Sequence, residues 1–243
     1  IIFLSKMDKP NVDFNVRVSE LHQQFGQKVI PLTLTLGMGE DFEGLIDVMD
    51  KKAYKYDGFK ATEVEIPDIR KEEVDAAYNE IVELIAMTDD VLMEKYFSGE
   101  SFTDAEISQG MTTAILEGSA VPLLAGTFSG AGMDLLLDCI TKYMPAPDDE
   151  RANSGFRPVE GDPRTMSSDQ PMSAVVFKTI VDPFVGKISI FKAVSGNVKK
   201  QDSFYNATQK LSDRPAGLFF LRGKTQIETD EVVAGDIGAL SKM

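Results

Sequence analysis

The chain has 243 residues, 43% of them apolar, and its 39 acidic and 25 basic side chains give a formal net charge of −14. That length allows one large or two ordinary domains with real cores. One cysteine and no tryptophan exclude a disulfide framework and a cysteine metal centre, and no apolar run reaches the length of a membrane span. The charge is uneven. Residues 1–145 hold 12 basic and 26 acidic side chains, residues 146–243 hold 13 of each, and the segment 57–106 holds 4 against 15. An acidic segment of this kind repels phosphate backbones, so it is either a solvated helical face or a surface for a basic protein.

Ile1-Ile2-Phe3-Leu4 has the length of a buried parallel strand. Ser5, Lys6, Met7 and Asp8 follow at once, where ligands of open α/β sheets bind. A carboxylate there accepts two N–H bonds from the amide edge of a guanine. A lysine stem can lie along the flat face of a base with its ammonium in water. A strand end with a polar turn accounts for the same residues without a ligand. Residue 1 falls inside this strand, so the chain reads as a piece of a longer protein.

Asn11–Phe25 reads as a helix, with Phe14, Val18, Leu21 and Phe25 on one face and Gly26 as its stop. His22, the one histidine, has no nucleophile or carboxylate beside it in sequence and reads as packed or surface. Lys28–Leu36 alternates as a strand, and Gly37-Met38-Gly39 is a turn. Phe42–Val48 is a short strand continuing toward Tyr54 and Tyr56. Three helices follow: Asp68–Met87, Asp89–Phe97, and one opened by the capping box Thr103-Asp104-Ala105-Glu106 and running through Met111 to Leu116. Val121–Thr127 is a strand with a turn, and Gly132–Tyr143 a helix containing Cys139, which reads as packing.

A boundary is expected near residue 147, with a polar linker over 148–170. Beyond it the pattern turns to short β-runs: Ala174–Lys178, Lys187–Lys192, Asp202–Ala207, Gly217–Leu221, Glu231–Ala234 and Ile237–Ser241. Turns are expected at Asp182–Gly186, Gly196-Asn197, Arg222-Gly223-Lys224 and Gly235-Asp236. Short strands with regular turns predict a small β-barrel.

Several of these segments, in order, resemble the elongation factor G family of translational GTPases. They are Ser5-Lys6-Met7-Asp8-Lys9-Pro10, Phe42-Glu43-Gly44-Leu45-Ile46-Asp47, Val121–Phe128, the Pro145-Ala146-Pro147 joint, Ala174–Gly196 and Ala234-Gly235-Asp236-Ile237. The resemblance implies α/β plus all-β architecture. Residues 1–147 would be the C-terminal part of a P-loop GTPase domain, with an inserted acidic helical subdomain over about 40–118. Residues 148–170 would be a linker and 171–243 a translation-factor β-barrel. It implies GTP or GDP as the ligand of the full-length protein, held at its base by Ser5, Lys6, Asp8, Gly126, Thr127 and Phe128. Ser5 stands where the family has Asn, Thr127 where it has Ser, and Phe128 where it has Ala. It further implies a cytoplasmic factor working on the ribosome. Glu72, Glu73, Glu80 and Glu83 would face the stalk protein, and Lys178, Lys187, Lys192, Lys199 and Lys200 of the barrel would meet small-subunit RNA. Neither DNA nor a membrane is implied as a partner.

Gly-x-x-x-x-Gly-Lys-Ser/Thr does not occur in these residues. The resemblance places that phosphate loop, the Mg²⁺ ligands and the switch regions before Ile1. The parent protein is thus expected to be a GTPase and this segment not catalytic. Two other readings are open. Ser5 and Phe128 fit a non-catalytic ribosome- or stalk-binding paralogue with a decayed nucleotide site, and the barrel alone fits a plain oligonucleotide-binding module.

Overall fold

A computed structural model describes residues 1–149, 164–183 and 186–241. The chain divides into two compact units, Ile1–Pro145 and Ala146–Met243.

In the first unit, β1 (Ile2–Leu4) leads through α1 (Phe14–Phe25) to β2 (Val29–Pro31). The Asp13 carboxylate accepts from the Asn15 and Val16 N–H groups at 2.8 and 3.2 Å, and Gly26 ends the helix in a conformation other residues rarely adopt. The alternating stretch expected as one strand over Lys28–Leu36 is two. Leu32 is the switch: its N–H bonds the Leu123 carbonyl at 2.8 Å, and its carbonyl takes the Val48 N–H at 3.0 Å. After it, β3 (Thr33–Leu36), β4 (Gly44–Asp47), β5 (Lys52–Asp57) and β6 (Lys60–Val64) form a four-stranded antiparallel sheet in chain order.

The stretch expected to run from Phe42 toward Tyr56 is therefore a hairpin. Its turn is held by the Asp47 carboxylate, which accepts from the Met49 and Asp50 N–H groups. The segment expected to be a helical insertion thus opens with a sheet. β6 was hidden because Lys60, Thr62 and Glu63 are polar and exposed and its two apolar residues, Ala61 and Val64, do not alternate.

Helices α2 (Asp68–Ala86), α3 (Asp90–Ser98) and α4 (Asp104–Glu117) follow. The apolar face of α2 buries Val74, Ile81 and Ile85. The Thr103–Glu106 capping box closes α4 in both directions. Lys95 donates to both Glu106 oxygens, at 2.8 and 3.0 Å, and so ties α3 to α4. With this charge beside it and the Thr103 N–H and hydroxyl also donating, the Glu106 carboxyl is held down at about 2.

The chain returns as β7 (Val121–Ala125) and ends the unit with α5 (Met133–Tyr143). β7 lies between β1 and β2, parallel to both. The core of the unit is one cluster that includes Leu45, Ile46, Ile81, Ile85, Met111 and Leu124, so the inserted elements and the parallel sheet bury a common interior.

The second unit is built on a five-stranded antiparallel sheet. Its strands are β8 (Ser173–Asp182), β9 (Gly186–Ser195), β13 (Gly217–Arg222), β14 (Thr225–Glu228) and β16 (Ile237–Ser241), in the order β14-β13-β16-β9-β8. Two short ladders accompany it. One pairs β10 (Val198–Lys199) with β15 (Glu231–Val232), the other β11 (Phe204–Asn206) with β12 (Leu211–Asp213). The period of two sorts its side chains. Phe191, Ala193, Leu218 and Leu240 join Val198, Phe204 and Val232 in one cluster, while Ile188, Phe219 and Ala239 form another on the opposite face.

The expected barrel does not close. Among the described residues β8 and β14 are edge strands that do not pair with each other. Register shifts interrupt the β8 ladder, and Val175, Val176, Phe177 and Val181 stay exposed along it. Residues 150–163 of the expected linker, and Phe184 and Val185 of the expected turn, lie outside the described residues.

Candidate functional site

β1 and β7 are parallel neighbours, with Ile2 opposite Leu123, Phe3 opposite Leu124 and Leu4 opposite Ala125. The segments leaving their carboxyl ends therefore emerge side by side. The ladder continues into them: the Gly126 N–H bonds the Leu4 carbonyl at 2.9 Å, and the Met7 N–H bonds the Gly126 carbonyl at 3.0 Å. Gly126 has no space for a side chain. A Cβ there would overlap the Ala131 carbonyl oxygen and stand 2.5 Å from the Phe3 ring. The glycine is what lets the two segments approach.

In the first segment Met7 is buried and anchors the turn, while Ser5 and Lys6, just past the strand end, are exposed. Lys6 lies in the left-handed region at φ 68°, and its carbonyl accepts from the Lys9 N–H at 3.1 Å. Asp8 is half-buried and its two oxygens differ. Oδ2 faces the Lys9 ammonium at 3.3 Å. Oδ1 is fully buried and has no hydrogen-bond partner among the described residues. A buried carboxylate oxygen left unpaired is costly, and donors such as the adjacent N–H groups of a guanine edge would satisfy it. The residues present thus fit the base of a guanine nucleotide.

In the second segment Thr127 is buried and organises its own loop. Its hydroxyl meets the Ser129 hydroxyl at 2.8 Å and accepts from the Ala131 N–H at 3.2 Å. Its backbone N–H bonds the Ala131 carbonyl at 3.1 Å, and its carbonyl takes the Gly130 N–H at 3.3 Å. Phe128 is 85% exposed, so its ring turns to solvent and its bulk does not fill the loop.

Other candidates lie elsewhere. His22 Nε2 donates to the Val29 carbonyl at 2.8 Å, a packing role. Cys139 is buried, and burial pushes its thiol up to about 11, which keeps it protonated and inert. Glu72, Glu73, Glu80 and Glu83 are exposed on α2, with Glu73 paired to Arg70. Lys199 and Lys200 share a shallow depression with Arg214, Asp230 and Glu231, so positive charge there is partly cancelled. Lys178 and Lys187 are exposed along β8 and β9, and Lys192 is half-buried. Among the described residues no acidic, histidine or cysteine cluster could hold a metal ion, and no helix is long and apolar enough to cross a membrane.

Sequence reasoning missed the residues that support these two segments. The Gly39 N–H bonds the Met7 carbonyl at 3.1 Å. The Tyr56 hydroxyl donates to both oxygens of Asp134 in the first turn of α5, at 2.9 and 3.1 Å. Burial and the Asp134 carboxylate beside it hold the Tyr56 phenol far above its ordinary range, so it remains a donor at every working pH. No local pattern marks these residues, because each partner is distant in sequence.

A family model described as elongation factor G domain 2 matches residues 171–243. Elongation factor G of Thermotoga neapolitana is 36% identical over 245 aligned positions, covering 98% of this chain and 35% of that protein. Elongation factor G of Thermotoga maritima is 34% identical with the same coverage. A solved structure from Thermus thermophilus matches with a TM-score of 0.82 at 28% identity, covering 100% of this chain and 34% of that one. The chain spans about a third of the length of the curated relatives it matches.

Proposed function

This chain belongs to the elongation factor G family, and from that premise we propose that its first unit carries the guanine-recognising half of a GTP site. The observation that carries the reading is the buried, unpartnered Oδ1 of Asp8 beside the Gly126–Phe128 loop. Asp8 accepts the N–H groups of the base edge. The Lys6 stem covers one face of the ring while its ammonium stays in water. The Phe128 ring points out, so the loop backbone is free to approach the carbonyl oxygen of the base. Ser5 closes the strand end with a shorter side chain than the family's Asn.

The phosphate loop, Mg²⁺ ligands and switch regions belong to residues outside 1–243. The longer protein uses GTP hydrolysis to drive a ribosomal step, tRNA–mRNA translocation, in the cytoplasm. The acidic face of α2, with Glu72, Glu80 and Glu83 exposed, suits a basic surface of the ribosomal stalk protein. The lysines of the second unit suit small-subunit RNA.

The test is a GTP titration of the full-length protein, with ATP and the 243-residue segment as controls. Saturable, guanine-selective binding by the full-length protein, with negligible binding by the segment, supports the reading. Absence of binding by the full-length protein refutes it and returns the molecule to the class of ribosome-associated binders.

A further inference from the structure

The four-stranded sheet β3–β6 is an antiparallel meander, so its β3–β4 and β5–β6 connections lie at the same end. Each connection touches one of the two base segments. From the first, the Gly39 N–H bonds the Met7 carbonyl at 3.1 Å, and a Cβ on Gly39 would stand 3.3 Å from the Lys9 carbonyl oxygen. From the second, the Phe59 ring covers Gly130: a Cβ built there would fall 2.7–2.8 Å from its ring carbons. Just before that turn, the Tyr56 hydroxyl holds Asp134. From β4, Leu45 packs against Gly132, within 2.7 Å of where a Cβ would lie. The loop from Gly126 to Gly132 is thus stitched to β1 on one side and gripped by the meander on the other.

Phe59 is 74% exposed. A ring left mostly in water adds little to the core, so its contact with Gly130 bears on where the loop sits more than on whether the unit folds. Tyr56 differs from a packing residue in another way. Its bond fixes Asp134, and with it the start of α5, directly after the loop.

We propose that Tyr56 and Phe59 are positioning residues for the guanine site, through which the inserted sheet sets the spacing of the two base segments. The inference rests on the guanine reading above.

Two measurements test this. The first is amide hydrogen exchange in the 243-residue chain, comparing Phe59→Ala, Phe59→Tyr and Tyr56→Phe with the wild type. Exchange at Gly130, Ala131 and Met133 should rise in Phe59→Ala and Tyr56→Phe. It should return toward wild type in Phe59→Tyr, with α2 unchanged in all three.

The second is release of a fluorescent guanosine diphosphate from the full-length protein. Phe59→Ala should speed release by about three- to tenfold, the scale of one aromatic contact. Tyr56→Phe should speed it by about tenfold or more, the scale of a hydrogen bond to a charged group. Association should stay within about twofold, since encounter rates vary little among mutants of one site. Wild type that fails to bind overturns the guanine reading and the role assigned here with it. Wild type that binds, with variants releasing at its rate, overturns the brace alone, whether or not loop exchange has risen.

Discussion

Replacing Gly126 by alanine puts one methyl group where the structure has no room. Its carbon would stand 2.5 Å from Phe3 Cζ and overlap the Ala131 carbonyl oxygen. Carbon atoms at rest sit about 3.5–4.0 Å apart, so the overlap with the ring alone is roughly 1 Å. The Phe3 ring can yield, but the Ala131 carbonyl is held by the Thr127 N–H at 3.1 Å. Relief therefore has to come from the loop or from the β1–β7 ladder, whose terminal bond is the Gly126 N–H to Leu4. Overpacking of this kind costs about 1–3 kcal/mol. For a unit of this size about 2 kcal/mol corresponds to a fall of roughly 4–8 °C in Tm. The assay is thermal unfolding followed together with hydrogen exchange. The reasoning requires that exchange at Met7 and Ala131 rise before any change appears in α2. Unchanged Tm and unchanged exchange at these amides would mean the close approach of the two segments does not depend on the glycine.

Glu106 has a folded-state pKa of about 2, below its ordinary 4.5, held there first by Lys95 and then by Thr103. A depressed carboxylate contributes stability that is full above its unfolded pKa and lost as pH falls through the folded one. Glu106→Gln should therefore flatten the acid limb of the stability curve between about pH 4.5 and 2, read by urea titrations across that range. Phe191 is wholly buried at the centre of the second unit. Phe191→Ala should cost about 3–5 kcal/mol and lower the urea midpoint of that unit, while Phe191→Leu costs visibly less.

Much of the first unit was legible because its signals are local. The α4 capping box is four consecutive residues, and the α2 stripe repeats within one helix. The strand ahead of Ser5 announced itself as an apolar run. What the sequence could not reveal was adjacency. β1 and β7 pair across more than a hundred residues, and nothing in either run specifies the other. The switch at Leu32 was invisible because alternation continues through it, although one half pairs in a parallel sheet and the other in an antiparallel one.

In the second unit six β-runs were readable, but the short β10 and β12, the edge strand β14 and the closure were not, since closure depends on whether two edges far apart in sequence meet. The site divides the same way. Lys6 and Asp8 follow a strand end and were singled out from that position, whereas Thr127 was singled out only through the family resemblance. Tyr56, Phe59 and Gly39 meet partners on other elements and carry no motif of their own.

The most direct measurement is the base preference of the full-length protein before and after Asp8→Asn. Xanthine carries a carbonyl where guanine carries its amino group, so an amide N–H at position 8 meets an acceptor in xanthine and a donor in guanine. The account predicts that the wild type prefers the guanine nucleotide and that Asp8→Asn reverses the order. It should lose about a hundredfold or more in guanine affinity, the scale of two bonds to a charged acceptor. A variant that keeps the wild-type preference, at unchanged affinity, would show that the buried Asp8 oxygen does not face the base.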